Sequence, residues 1–247
     1  MTMRLSTMIL VIASLVSIAE PTMGQTAAQV IDRYVAAIGG SEALASVQTM
    51  RYVRTVYNTE GEVTAEQSRR TFYRMRPYFR RAENPETGGI YITDGSAAWS
   101  GDVTADGDSV VWSEARFVLR SRDSDFDRLF GSFINFDEKG YGAEYVGTAE
   151  REGVRLDVVR VTWTEGDQWD FYFDSATGLC YGMNGHPDNL DDMTRVDDYR
   201  RVGGILVPHR NAVIDRLPDG TTRLHERRYS DVVFNVAISE SMFLPGR

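Results

Sequence analysis

The sequence predicts an α+β domain, mainly β, in which a large curved antiparallel sheet is covered on one face by helices. Three observations lead there. From Thr49 onward the apolar residues recur with a period of two for most of the chain, the pattern of half-buried strands. The breaks between these runs are short and rich in Gly, Asn, Asp and Pro, so successive strands turn back and pair antiparallel. Two segments instead carry helical spacing, one ahead of the strands and one in mid-chain.

The first residues read as an export signal. Arg4 supplies the positive start, and Ile9 to Ala19 is an uncharged stretch of 11 residues, short for a membrane span but suited to a signal core. Thr22 and Gly24 occupy the −3 and −1 positions of a cleavage site before Gln25, with Ser17 and Ala19 as a second choice. Cleavage after Gly24 leaves 223 residues, and the absence of any later long apolar run predicts a soluble mature chain.

Val30, Ile31, Tyr34, Ala37 and Ile38 then fall on one helical face, with Gly39-Gly40 as the C-terminal cap. Ser41 is placed to cap a second short helix running to Val47. Strands are expected at 49–57, 63–75, 78–83, 90–93, 96–101, 142–149, 154–164, 168–174, 179–183, 194–202, 205–215 and 221–234. The interruption at 113–133 contains Phe126, Leu129, Phe130 and Phe133 at helical spacing, which predicts an amphipathic helix starting near Ser124 or Asp125.

One hairpin can be given a register. Trp169, Phe171 and Phe173 share a face, and a three-residue loop Glu165-Gly166-Asp167 sets Trp163 against Trp169, Val161 against Phe171 and Val159 against Phe173. Arg160, Thr162, Asp170, Tyr172 and Asp174 form the other face. Val154, Leu156 and Val158 are one residue out of phase with Val159, Val161 and Trp163, which calls for a bulge near Val158-Val159.

The 247 residues are 42% hydrophobic and 26% charged, with no linker, repeat or low-complexity tract, so one domain over 25–247 is expected. A net charge of −9 argues against a nucleic-acid coat. Of 27 basic residues only Lys139 is a lysine. The lone Cys180 excludes an internal disulfide and leaves no lipid-attachment cysteine behind the signal core; its apolar neighbours Leu179 and Tyr181 suggest a buried, inert thiol.

Catalytic signals are weak, and neither a metal nor a cofactor set is expected. His186, His209 and His225 lie far apart, outside metal-binding spacings, and no nucleophile elbow or phosphate-binding glycine loop occurs. The run Asp102–Asp108 departs from a calcium loop, with Thr104 at its third position, and reads as a polar hairpin tip. Asp188–Asp192 reads as a solvated loop, and His209 as an edge-strand histidine. Arg69, Arg70, Arg74, Arg76, Arg80 and Arg81 gather on two neighbouring strands. They could form an anion or headgroup rim, or pair across strands with Glu62, Glu66 and Glu83.

The stretch Phe72-Tyr73-Arg74-Met75-Arg76-Pro77-Tyr78-Phe79-Arg80, followed by Ile90–Gly95 and Trp99, resembles the aromatic, Arg-Pro, Asp-Gly and Trp pattern of the bacterial periplasmic lipoprotein carrier (LolA-like) superfamily. Tyr34–Gly40, Phe173-Asp174 with Thr177–Leu179, Asp198–Arg200 with Val202–Gly204 and Pro208, and Phe234–Val236 with Ile238 and Phe243 resemble the broader outer-membrane lipoprotein-sorting-like group. The resemblance implies an unclosed, strongly curved β-barrel with lid helices over an apolar cavity that accepts acyl chains. It implies that Arg76 ties the sheet to the lid, with Pro77 fixing the turn. The expected function is a periplasmic carrier of lipoprotein or lipid acyl chains, not an enzyme, monomeric, with an inner- or outer-membrane envelope protein as a second partner. The candidate ligand-binding residues are Arg76 with Phe72, Tyr91, Trp99, Phe126 and Leu129, joined by Phe130, Trp163, Trp169, Phe171 and Phe173. A lipid-sensing or protein-interaction module of the same fold is the alternative.

Overall fold

A computed structural model describes residues 24–58, 61–63, 69–104, 107–112, 126–164, 166–185, 192–216 and 221–244. Helices α1 (Ala27–Ile38) and α2 (Ser41–Ala45) precede strands β1 (Thr49–Tyr57), β2 (Arg69–Met75), β3 (Phe79–Glu83), β4 (Gly89–Thr93), β5 (Ala98–Thr104) and β6 (Gly107–Trp112). Two 3-10 helices, Phe126–Phe130 and Asp137–Lys139, follow. Then come β7 (Gly142–Arg151), β8 (Val154–Thr162), β9 (Gln168–Asp174), β10 (Cys180–Asn184), β11 (Thr194–Val202), β12 (Ile205–Arg216) and β13 (Thr222–Phe234), and a last 3-10 turn, Glu240–Phe243.

All thirteen strands join one antiparallel sheet in the order β6-β5-β4-β3-β2-β1-β13-β12-β11-β10-β9-β8-β7. The chain walks outward from β1 to β6, packs Phe126, Phe130 and Phe133 into the inner core, and walks inward from β7 until β13 pairs with β1. β6 and β7 remain the two ends, so the barrel is open.

The first helix forms as its sequence dictates. Thr26 and Gln29 build a reciprocal capping box, and Gly39, at φ +145°, ends the helix while Gly40 N–H donates to Val35. Its buried face of Val30, Ile31, Tyr34 and Ile38 lies on the inner face of the sheet, where Tyr34 meets Phe133 and Phe173 at 5.5 and 5.4 Å. In the second helix Gly40 is the N-cap and Ser41 already the first helical residue, with no side-chain cap bond.

The expected mid-chain amphipathic helix is a 3-10 turn. Residues 113–125 lie outside the described region, but the reason it stops after Phe130 is local: Gly131 and Ser132 take φ of +79° and +66°, which a right-handed helix cannot continue. A Cβ on Gly131 would stand 2.5 Å from the Phe133 ring. That tight turn folds Phe133 back into the core, so Phe126, Leu129, Phe130 and Phe133 are all buried as their spacing suggested.

The β8–β9 hairpin keeps its expected faces but slides by two residues. Val161 faces Trp169, Val159 faces Phe171 and Asp157 faces Phe173. Trp163 N–H donates to Asp167 across a loop closed by Gly166 at φ +89°. A three-residue hairpin loop places its left-handed residue last, and only Gly166 suits that position. The slide brings Arg160 directly opposite Asp170, at 2.8 and 2.9 Å. The bulge expected in β8 at Val158-Val159 sits opposite them in β7, where pairing jumps from Tyr145 to Gly147.

The phase change in β8 reflects a sheet covered on both sides. Val159 and Val161 join the inner core, whereas Leu156 and Val158 pack outside with Tyr172, Tyr181 and Met193. A second outer cluster holds Ile90, Ile92 and Trp99 under Phe243 of the C-terminal turn. The acidic run at 102–108 is a β5–β6 hairpin, its tip outside the described residues. β12 is an interior strand, so His209 is not on an edge; it is buried, with Nδ1 2.8 Å from the Val207 carbonyl.

Helix α1 is pinned to the sheet by Arg33, whose guanidinium donates to buried Asp157 at 2.5 Å, with Tyr145 donating at 3.3 Å. Removing one partner strands a buried carboxylate. Arg33 is partly exposed, which reduces the effect, so Arg33→Met should cost about 2 kcal/mol by urea denaturation. Adding Asp157→Asn should restore more than half of that loss; simple additivity of the two changes would show that the pair does not hold the helix.

Candidate functional site

The concave face of the sheet encloses a cavity of about 680 Å³, inside the roughly 300–1,000 Å³ range of small-molecule sites. Two walls of different chemistry face it. On the β8–β9 side stand Trp163, Trp169 and Phe171, with Met183 from β10. On the other side β1, β2, β3 and β13 present Tyr52, Phe72 and Tyr229 interleaved with Arg54, Arg74, Arg80 and Arg227. Tyr52 and Phe72 stack at 5.0 Å and 9°, and both Arg54 and Arg80 lie over the Phe72 ring at 4.9 and 5.4 Å.

Strand parity explains why arginines point inward. Residues two apart share a face, so Arg70, Phe72 and Arg74 on β2, Tyr52 and Arg54 on β1, and Arg80 and Ala82 on β3 belong together. The register places Arg74 opposite Arg80 and Arg54 opposite Arg70. Burial lowers the Arg80 pKa to about 10, with Arg74 adding to the shift, and burial also pushes Arg54 down. Arg81, of opposite parity, faces outward, where it meets Glu83 at 2.5 Å and the Met242 carbonyl at 3.2 Å.

The cavity roof is held by Arg76, immediately after β2, whose peptide bond to Pro77 is cis. Its Nε donates to the Val47 carbonyl at 2.8 Å and Nη2 to the Leu44 carbonyl at 3.3 Å, at the end of α2. The same fork grips both oxygens of Asp127, at 2.7 and 3.2 Å, while the guanidinium covers the Phe126 ring at 4.4 Å. Asp127 is 1% exposed and also accepts from Lys139 at 2.9 Å. The one lysine of the chain thus shares this carboxylate, and it reaches the Ser132 carbonyl as well. Sheet end, α2 and both 3-10 helices meet at one acid.

Among the sequence candidates, Phe72, Leu129, Trp163, Trp169 and Phe171 line the cavity. Tyr91 is half-buried beside it, 5.4 Å beneath the Arg80 guanidinium. Phe126 underlies Arg76, and Phe130 and Phe173 are fully buried against Phe234 and Tyr34. Trp99 is not at the cavity, because its parity puts it in the outer cluster. Arg74 and Arg80 belong to the arginine group singled out in the sequence and both line the cavity, whereas Arg54 and Arg227, on the neighbouring strands β1 and β13, lay outside that group. Cys180 is buried and its thiol is pushed up to about 12 by burial, consistent with an inert side chain.

An open, curved antiparallel sheet with an N-terminal helix and a strapped roof over a cavity defines a class of open-barrel folds, and structural comparison places it more closely. A LolA superfamily protein from Nitrosomonas europaea superposes with a TM-score of 0.56 at 11% identity, covering 90% of this chain and 98% of that one. A DUF1329 family protein from Desulfovibrio piger gives 0.55 at 15% identity, over 89% and 97%. An outer membrane lipoprotein-sorting protein domain from Vibrio parahaemolyticus gives 0.51 at 12% identity, over 87% and 94%. The chain has the LolA-like fold. No family model and no curated protein matches it by sequence.

Burial opposes the charge on Arg80, and neighbouring Arg74 adds to that cost. The folded pKa near 10 lies below the ordinary arginine value. The destabilisation is therefore complete below about pH 10 and relieved as pH rises through the interval up to the unfolded value. Arg80→Met, which retains the apolar stem, should raise the stability of the ligand-free protein by about 1 kcal/mol at neutral pH. A lower thermal midpoint for the folded variant would contradict this.

Proposed function

We propose that the protein is an exported carrier, cleaved near Gly24 and working in the periplasm as a single domain over 25–247, that encloses acyl chains of a lipoprotein or lipid. The observation that carries the reading is the 680 Å³ cavity with an aromatic wall beneath a roof tied down by Arg76 and Asp127. No helix among the described residues is long and apolar enough to cross a membrane. Its similarity in fold to a LolA superfamily protein and a lipoprotein-sorting domain supports the same reading.

Transfer of a 16-carbon chain from water gains roughly 12 kcal/mol before ordering costs, at about 0.8 per methylene. That gain needs no reacting group. It does require a way out, and a roof joined through one polar cluster supplies it, because Arg76 can exchange its carboxylate and carbonyl partners for water when the lid lifts.

Protein purified from an envelope fraction should yield lipid on extraction and mass spectrometry, and should saturably displace a fluorescent fatty acid. Absence of both would refute the carrier reading. Arg76→Leu should accelerate release of the fluorescent fatty acid about tenfold, the equivalent of about 1.4 kcal/mol. Release kinetics equal to wild type in a folded Arg76→Leu protein would remove Arg76 from the latch.

A further inference from the structure

The cavity is amphipathic, and its charge is one-sided. Six arginines, Arg54, Arg74, Arg80, Arg128, Arg223 and Arg227, line it among the described residues, against one carboxylate, Asp192. This occurs in a chain of net charge −9 with 36 acidic residues. Because nearly every cation in the chain is arginine, residue type alone says little; placement carries the information.

Arg74 faces Arg80 and Arg54 faces Arg70 directly across adjacent strands, and like charges so paired destabilise a sheet. Arg227 stands on the next strand, opposite Val56, so cations run across β3, β2, β1 and β13. The outer face of β13 and its neighbours β12 and β11 is arranged differently: Arg210 and Arg228 converge there on Glu226, with Arg210 also reaching Asp197. Within the inner wall the Nε of Arg54 is buried without a hydrogen-bond partner, as is the indole nitrogen of Trp163. Orphaned donors of this kind are expensive unless something else accepts from them.

We infer that the ligand is an anionic amphiphile, whose phosphate or carboxylate head lies against the arginines of β1, β2, β3 and β13 while its acyl chain lies against Trp163, Trp169 and Phe171. This rests on the carrier reading and specifies the chemical class of the cargo. Guanidinium forks match the geometry of such oxyanions, and aromatic neighbours such as Phe72 hold Arg54 and Arg80 in place. An anion would also offset the burial, and the repulsion from Arg74, that depress Arg80. Arg128 and Arg223 are exposed and extend the positive lining toward solvent, where they attract an anionic head before it enters.

The test compares delipidated full chain with two probes of equal acyl chain, myristoyl lysophosphatidic acid and monomyristoylglycerol, in competition with a fluorescent fatty alcohol. Lysophosphatidic acid should bind about tenfold or more tighter, and the difference should fall below about threefold in Arg54→Gln/Arg80→Gln. Arg54→Lys/Arg80→Lys should keep most of it. Independently of any variant, raising ionic strength from about 0.05 to about 0.5 M should weaken only the phosphorylated probe. Equal affinities for the two probes, or a preference that survives both salt and the glutamine variant, would overturn the headgroup inference while leaving the acyl carrier standing. Failure of both probes to bind would overturn the carrier reading and the inference together. Competition by inorganic phosphate or glycerol 3-phosphate as strong as that of lysophosphatidic acid would show a free-phosphate site and overturn the amphiphile.

Discussion

The buried carboxylate of Asp127 sets the shape of the molecule's working half. Arg76 and Lys139 converge on it from the sheet end and from the 137–139 turn, and Arg76 carries α2 into the same cluster through two backbone carbonyls. A carboxylate 1% exposed is tolerable only because both oxygens are engaged by cations. Without that satisfaction the Phe126–Phe130 turn would lose its tie to Arg76 at the end of β2, and the cavity roof would loosen. The cluster is charged, so water competes for each of its contacts once it is exposed, the property that the proposed carrier's lid requires.

Beneath the roof, the sheet is covered on both faces, and each face has its own solution. The inner face buries aromatics around Phe133, which touches Tyr34, Phe171 and Phe173 within 5.5 Å. The outer face is sealed by small clusters, one closed by the C-terminal Phe243 and one of Leu156, Val158 and Tyr172. Tight packing between α1 and β9 leaves the open volume displaced toward β1, β2 and β13, where arginines stand in place of packing residues. Packing and open volume are therefore spatially divided: one half of the concave face is a core and the other lines the cavity.

Strand parity decided how much of this could be read from the residues. Period-two runs located β1, β9 and β11 to the residue, and helical spacing located α1 and its glycine cap. The position of Arg76 at the roof matches what the Arg-Pro motif implied by resemblance. Backbone dihedrals were the harder part. Gly166 at the end of its loop shifted the hairpin by two, and Ser132 at positive φ cut a helix that periodicity alone would have drawn to Phe133. Trp99 was misplaced because an aromatic was assumed to face inward, although a sheet covered on both sides buries aromatics on both. Arg74 and Arg80 stood in the arginine group for which an anion rim or cross-strand ion pairs were both open, and Arg54 and Arg227 stayed outside it because only the β1–β2 and β1–β13 pairings bring them alongside.

The most direct measurement is a crystal structure of the protein with an anionic amphiphile brominated at the end of its acyl chain, located by anomalous scattering. The bromine should lie against Trp163, Trp169 and Phe171, and the anionic head within hydrogen-bond distance of Arg54 or Arg80. A bromine on the outer face of the sheet, or a cavity filled by side chains with the amphiphile excluded, would contradict an internal acyl site.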